Sequence, residues 1–333
     1  ALELARRGVS VVLLEAKRIA WGASGRNGGF VSNGFAEGVD RIAARAGKEA
    51  AQALYTLSCF GTEYVRREIA EGEPSIKMGE GWLGAIRHDN AAGKRASVAA
   101  LARDYGQEMQ FLDVAEVRAK LDTSRYFQGS YDPTAFHMHP LRYALMIAEK
   151  AEKAGARICE FSSAVSVTKA GSGFTVRTAG GEVACRDIVY CVSSLDRGIH
   201  PLTGRAILPV ATYVAVTEPL KQSAIRTHSA VSDSRRAGNY YRLVDEGRIL
   251  FKRVPFQVEL DVPTEIEQFV PRARELPRRC RQAFDRRDVV EMFVVRRAGR
   301  FHADWRSNAV SPRPAARRRC VAFPFRQRPP WQR

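Results

Sequence analysis

ALELARRGVSVVLLE, residues 1–15, reads as the last turns of a helix, a stop, and a strand tipped by an acid. Arg6 and Arg7 suit the negative end of such a helix, and Gly8 can take the left-handed conformation that ends it. VSVVLL then makes a buried strand, Val9–Leu14, with Glu15 at its carboxyl tip. Helix, glycine, parallel strand and terminal acid form the second half of a dinucleotide-binding βαβ unit. In that unit the acid accepts hydrogen bonds from ribose hydroxyls. Its glycine fingerprint lies about 20 residues ahead of the acid. Only fourteen residues precede Glu15, so the phosphate loop is expected upstream of Ala1. Taken alone, a strand ending in an acid is also what any parallel strand can show.

The next segment adds a second signal. WGASGRNGG, residues 21–29, packs Gly22, Gly25, Gly28 and Gly29 with Ala23, Ser24 and Asn27 into nine positions. Such a run lets backbone approach a ligand closely and offers several N–H groups with small hydroxyl and amide donors. A flexible surface loop would explain the glycines, but not their place directly behind a ribose-binding acid. LLEAKRIAWGASGRNGGF resembles the second strand and flavin loop of the D-amino-acid-oxidase-like FAD-dependent oxidoreductases, and within them the γ-glutamylputrescine oxidase type. The likeness continues through YDPTAFHMHPLRYALMIAEKAEKAGARI, CVSSLD and YYRLVDEGRILF. It covers residues 1–251 and then stops.

The resemblance implies FAD as cofactor. Glu15 and Ala16 would sit at the ribose, and Ser24, Gly25, Arg26, Asn27, Gly28 and Gly29 along the pyrophosphate and flavin, with Arg26 balancing phosphate or reduced-flavin charge. The backbone at Val165 would hold the adenine. Tyr240, Tyr241 and Arg242 could face the substrate, two rings shaping the pocket and a guanidinium pairing with a carboxylate; the plain alternative is a solvated arginine beside two edge-strand tyrosines. No catalytic acid–base pair stands out, as expected where a flavin carries the chemistry. His137 and His139 form an HxH pair without the further ligands a metal needs, so no metal is expected.

Coarse patterning places the rest. Apolar spacing from Gly38 to Gly72 predicts two helices, and GWLGAIR a short strand, Trp82–Arg87. Asp113 three residues before Glu116 predicts a capped helix start. Pro140 opens another helix, with Gly155 as its stop. Three strands turning at Gly171–Gly173 and at Gly180–Gly181 form a meander, followed by a strand at Ile188–Val192 that rejoins the parallel sheet. NYYRLVDEGRILF is a hairpin. The expected fold class is α/β: an incomplete Rossmann-like FAD-binding domain (1–75 and 140–204) with an α+β substrate domain on a mixed or antiparallel sheet (76–139 and 205–251).

Composition completes the reading. The net charge of +17 is uneven, with +6 over residues 1–251 and +11 over residues 252–333. In that last segment 19 of 20 basic residues are Arg, nine prolines occur, and Gly299 is the one glycine. A basic surface can use either cation, so the bias points to a non-native or disordered tail of the kind a GC-rich gene yields out of frame. The rival is an arginine-rich nucleic-acid-binding segment. No apolar run approaches a membrane span and no secretory leader opens the chain. Six scattered cysteines without a CxxC pair suggest reduced thiols in a cytoplasm.

The expected activity is removal of a hydride from the carbon beside a small amine's nitrogen, with oxygen as acceptor. Imine, then aldehyde and ammonia, and hydrogen peroxide would result. Neither nucleic acid nor membrane is expected as a partner, and this chain is expected to be an inactive fragment binding FAD weakly or not at all. An NAD-dependent dehydrogenase would share the ribose acid but gives no reason for WGASGRNGG.

Overall fold

In the computed structural model, residues 1–193, 199–200, 213–220, 223–235, 238–253, 292–297 and 300–301 are described. The chain opens with α1 (Leu2–Arg6), β1 (Val12–Leu14), α2 (Ala23–Arg26), β2 (Phe30–Val31), α3 (Val39–Ala46), α4 (Lys48–Glu71) and β3 (Lys77–Ala85). Next come α5 (Ala91–Tyr105), β4 (Gln110–Leu112), α6 (Val114–Lys120), β5 (Gly129–Met138), α7 (Pro140–Lys153) and β6 (Arg157–Cys159). The remaining strands are β7 (Ala164–Ala170), β8 (Gly173–Thr178), β9 (Gly181–Cys185), β10 (Tyr213–Val216), β11 (Ala230–Asp233), β12 (Tyr240–Val244), β13 (Arg248–Arg253), β14 (Met292–Arg297) and β15 (Arg300–Phe301).

Two compact units result. The described residues of the first lie within 1–21 and 147–210, and those of the second within 22–146 and 211–305. In the first, α1 and α7 end alike. Gly8 (φ +75°) and Gly155 (φ +97°) take left-handed backbone, and the following amides of Val9 and Ala156 reach back to Leu4 O and Ala151 O. This closure turns each helix into a strand. Strands β1 and β6 then pair in parallel, with Leu13 opposite Ile158. Leu2, Ala5, Ala151 and Ala156 form the small core beside them. The strand is shorter than the expected Val9–Leu14, and Val9 and Val12 are exposed, because the ladder to β6 starts only at Val12. The expected meander is present as β7-β8-β9. The expected strand at Ile188–Val192 is absent: among the described residues of the first unit, β1 and β6 are the whole parallel ladder, and Val189 is 72 % exposed.

The second unit is built on a sheet ordered β15-β14-β10-β13-β12-β11-β3-β5-β2, with β4 also on β5. It is mixed, since β11 pairs with β3 and β10 with β14 in parallel while the other pairs are antiparallel. Alternation along its strands separates two faces. Leu83, Ala85, Val231, Tyr241 and Ile249 point into the main core, where they meet Val117 and Leu121 from the α6 region. The expected cap of α6 is a full capping box: Asp113 Oδ1 accepts from Glu116 N (2.9 Å) and Glu116 Oε2 from Asp113 N (2.8 Å).

Strand β3 starts five residues before the expected Trp82. Gly79 and Gly81 sit in a bulged strand whose register shifts at Lys77/Gly79 and Glu80/Trp82. A side chain at either would collide with what packs over it, His137 and His228 O at Gly79 and Tyr131 at Gly81. No described helix is long and apolar enough to cross a membrane. The arginine-rich segment 252–333 lies outside the described residues except at 252–253, 292–297 and 300–301.

Candidate functional site

In the first unit the chemistry gathers at the carboxyl ends of β1 and β6, the edge where α/β sheets bind ligands. Glu15 N donates to Cys159 O (2.9 Å), continuing the ladder by one residue. Its carboxylate accepts from Lys17 N (2.8 Å), so a local turn orients the acid. Glu160 ends β6 as Glu15 ends β1, and its Oε1 accepts from Ile19 N (2.7 Å). Phe161 N to Lys17 O and Ser162 N to Glu15 O, both 2.8 Å, lace the two strand ends together. Ala20 (φ 60°) and Phe161 (φ 55°) are both left-handed without being glycine. Such backbone costs about 1–3 kcal/mol per residue and gathers where ligands bind. Ala16 is exposed beside Glu15.

Glu160 was missed in the sequence, although RICE repeats the pattern of VLLE. Val165 lies on β7 at the register shift between Ala164 and Ser166, so a bulge takes it out of the ladder to β8, and it is 63 % exposed.

In the second unit the glycine-rich segment is a built turn, where a loop was expected. Ala23–Arg26 form a single helical turn, α2, with Gly22 before it. The Asn27 side chain then does three things: Nδ2 donates to Ala23 O (3.0 Å) and Ser24 O (3.1 Å), and Oδ1 accepts from Gly29 N (2.8 Å). Gly29 has φ +74° and its carbonyl accepts from Met138 N (2.8 Å), which leads Phe30 and Val31 into pairing with His137 and Phe136. Gly25, Gly28 and Gly29 are buried, Ser24 is exposed, and Arg26 and Asn27 are half-buried.

Tyr240, Tyr241 and Arg242 do not act together. Tyr240 and Arg242 lie on the sheet face away from the main core, whereas Tyr241, 2 % exposed, lies in that core with its hydroxyl on Tyr126 (3.0 Å). The two-residue period of the strand forces this split, so Tyr241 cannot wall the surface Tyr240 lines. Tyr240 packs with Phe30 (5.9 Å between centroids) and Trp82 (6.1 Å), and Phe30 with Trp82 (5.3 Å). These three half-exposed rings form an aromatic surface directly after the glycine-rich turn.

Arg242 is buried, with Nε donating to Gly28 O (2.7 Å) and Nη2 to Met138 O (3.0 Å). Burial pushes its pKa down to about 10, so it stays charged at neutral pH. His137, on β5, is 1 % exposed. Burial, helped by the Arg242 charge, pushes it down to about 4. It is therefore neutral, with Nε2 donating to His228 O (2.6 Å) and Nδ1 accepting from Arg242 Nη1 (3.1 Å). Burial, then Arg142, also lowers His139. Among the described residues no group of three or more His, Cys, Asp or Glu could hold a metal.

Comparison with known proteins gives these features a setting. The family model described as DAO, FAD dependent oxidoreductase, matches residues 1–307. A probable oxidoreductase OrdL of Haemophilus influenzae is 30% identical over 261 residues, covering 75% of this chain and 61% of the relative. The γ-glutamylputrescine oxidoreductase of Escherichia coli is 30% identical over 257 residues, covering 75% and 60%. The chain thus spans about three fifths of the length of these curated relatives. Glycine oxidase from Geobacillus kaustophilus superimposes with a TM-score of 0.58 at 18% identity, covering 81% of this chain and 74% of that one. L-proline dehydrogenase from P. horikoshii gives 0.61 at 18% identity, covering 81% and 73%. At such identity these two structures speak to fold alone.

Proposed function

The chain belongs to the DAO family of FAD-dependent oxidoreductases, and from that premise we propose that its residues bind FAD and serve the oxidation of a C–N bond in a small amine. The observation that carries this reading is Glu15 at the carboxyl end of a parallel strand, its carboxylate already oriented by Lys17 N. Each unit by itself offers groups that suit part of FAD: in the first a strand-tip carboxylate for ribose hydroxyls and a bulge at Val165 for the adenine edge, in the second a glycine turn for the diphosphate and flavin. At that turn a side chain on Gly29 would fill the space taken by Met138 O.

The chemistry supplied by bound FAD is removal of a hydride from the carbon beside the substrate nitrogen, with oxygen as the final acceptor and imine, then aldehyde and ammonia, and peroxide as products. The protein's part is to bind, orient and exclude water. Glu15 would accept from the ribose, Ser24 would donate to the cofactor, and the Gly25–Gly29 backbone would line it. Arg26 offsets negative charge on it. Phe30, Trp82 and Tyr240 supply an apolar wall that keeps water from the reacting carbon.

Titration with FAD tests the reading. Saturable quenching of flavin fluorescence by the wild-type chain, weakened at least tenfold in Glu15→Ala, is expected. Equal quenching by the two proteins, or none by either, refutes it.

A further inference from the structure

Arg242 is the largest fully buried side chain among the described residues, and its hydrogen-bond partners are all neutral, while the charge of Asp245 acts on it without a hydrogen bond. Besides the carbonyls of Gly28 and Met138, its guanidinium meets His137 Nδ1 (3.1 Å) and Met78 Sδ (3.2 Å). None of the four is a carboxylate. A guanidinium removed from water and offered only neutral acceptors is a costly way to hold a sheet together, and an apolar residue of similar size would often serve stability as well. What the planar fork supplies is direction: it fixes two carbonyls whose chain segments lie far apart in sequence.

The Gly28 carbonyl belongs to the turn that delivers the glycine-rich segment into β2, and the Met138 carbonyl to the end of β5, where Met138 N closes on Gly29 O. Behind the fork, neutral His137 is itself held by His228 O, and Gly79 leaves the room this ring occupies. The clamp is therefore built from three strands and the turn between α2 and β2, all within the second unit.

We infer that Arg242 is a positioning residue for the cofactor, holding the Gly28–Gly29 turn in the conformation in which residues Gly22–Gly29 receive FAD. The inference rests on the reading of that segment given above. It is tested with the full chain as wild type, Arg242→Met, Arg242→Lys and Arg66→Met. Arg66 is a useful control because its guanidinium bonds to Glu80 and Thr134 O in the same sheet but not to the turn.

FAD affinity is read by flavin fluorescence where circular dichroism shows every protein folded, and amide exchange is read on the cofactor-free proteins. Arg242→Met should raise the FAD Kd at least tenfold and speed exchange at Gly29 and Met138 at least tenfold. Arg242→Lys should fall between, and Arg66→Met should stay within twofold on both readouts while losing stability. If the methionine variant does not fold, the lysine variant, which keeps the charge but not the fork, is judged by a threefold threshold on both. Wild type that binds FAD alongside Arg242 variants binding within twofold of it overturns this inference alone. Wild type without saturable binding overturns the reading of the segment and the inference with it.

Discussion

Replacing Gly29 by alanine probes the turn that the cofactor reading depends on. Gly29 holds φ +74°, and a Cβ there would overlap Met138 O and stand 3.2 Å from Arg242 Nη2. Gly34 supplies the control, with φ +96° and nothing within 4 Å of a built Cβ. At Gly34 the whole cost is left-handed backbone for an L residue, about 1–2 kcal/mol. At Gly29 the same cost is joined by displacement of Met138 away from the new methyl. The Gly29 O bond to Met138 N (2.8 Å) and the Arg242 bond to Met138 O (3.0 Å) cannot both survive that movement. A neutral hydrogen bond contributes about 1 kcal/mol and one from a charged donor about 1.5–3 kcal/mol. Gly29→Ala should therefore lose about 2–5 kcal/mol and Gly34→Ala about 1–2 kcal/mol, as read from urea midpoints with unchanged m-values. FAD affinity should fall with the first variant and hold with the second. Two variants equal within about 1 kcal/mol would mean that Met138 yields freely, and the clamp around the turn would not exist.

Two further outcomes follow from groups outside that contact. His137 is pushed from 6.5 down to about 4, so between those values the unfolded chain binds a proton that the native one refuses. Stability is then whole above pH 6.5 and falls as pH drops toward 4, by up to about 3 kcal/mol from this group. Urea midpoints at pH 7 and pH 4.5 should differ less in His137→Gln than in wild type, and equal differences would refute the assignment. Asp113→Ala removes the reciprocal cap of α6. It should cost about 1 kcal/mol in the same assay, more than Asp113→Asn, which keeps an oxygen for Glu116 N.

The sequence disclosed those parts of the fold whose signals are local. Gly8 and Gly155 ended helices because left-handed backbone at a helix terminus selects glycine within a few residues, and Asp113 with Glu116 spelled a cap across three. The β7-β8-β9 meander and the β12–β13 hairpin were legible for the same reason, as turn residues between alternating runs. The first half of β3 was not, because Gly79 and Gly81 are there for what lies above them, His137 and Tyr131, far further along the chain.

The candidate site divides in the same way. Glu15 and the glycine-rich segment announced themselves by composition and order, while the bulge at Val165 depends on register against a partner strand. Arg242 in an alternating strand reads as a solvent- or substrate-facing cation. Its burial is decided by Gly28 and Met138, 214 and 104 positions away. An arginine becomes structural only when distant backbone offers acceptors that water would otherwise satisfy, and no local pattern encodes that. The same long reach gives Arg242 its leverage over the turn, because a clamp joining neighbours in sequence would merely repeat what the chain already fixes.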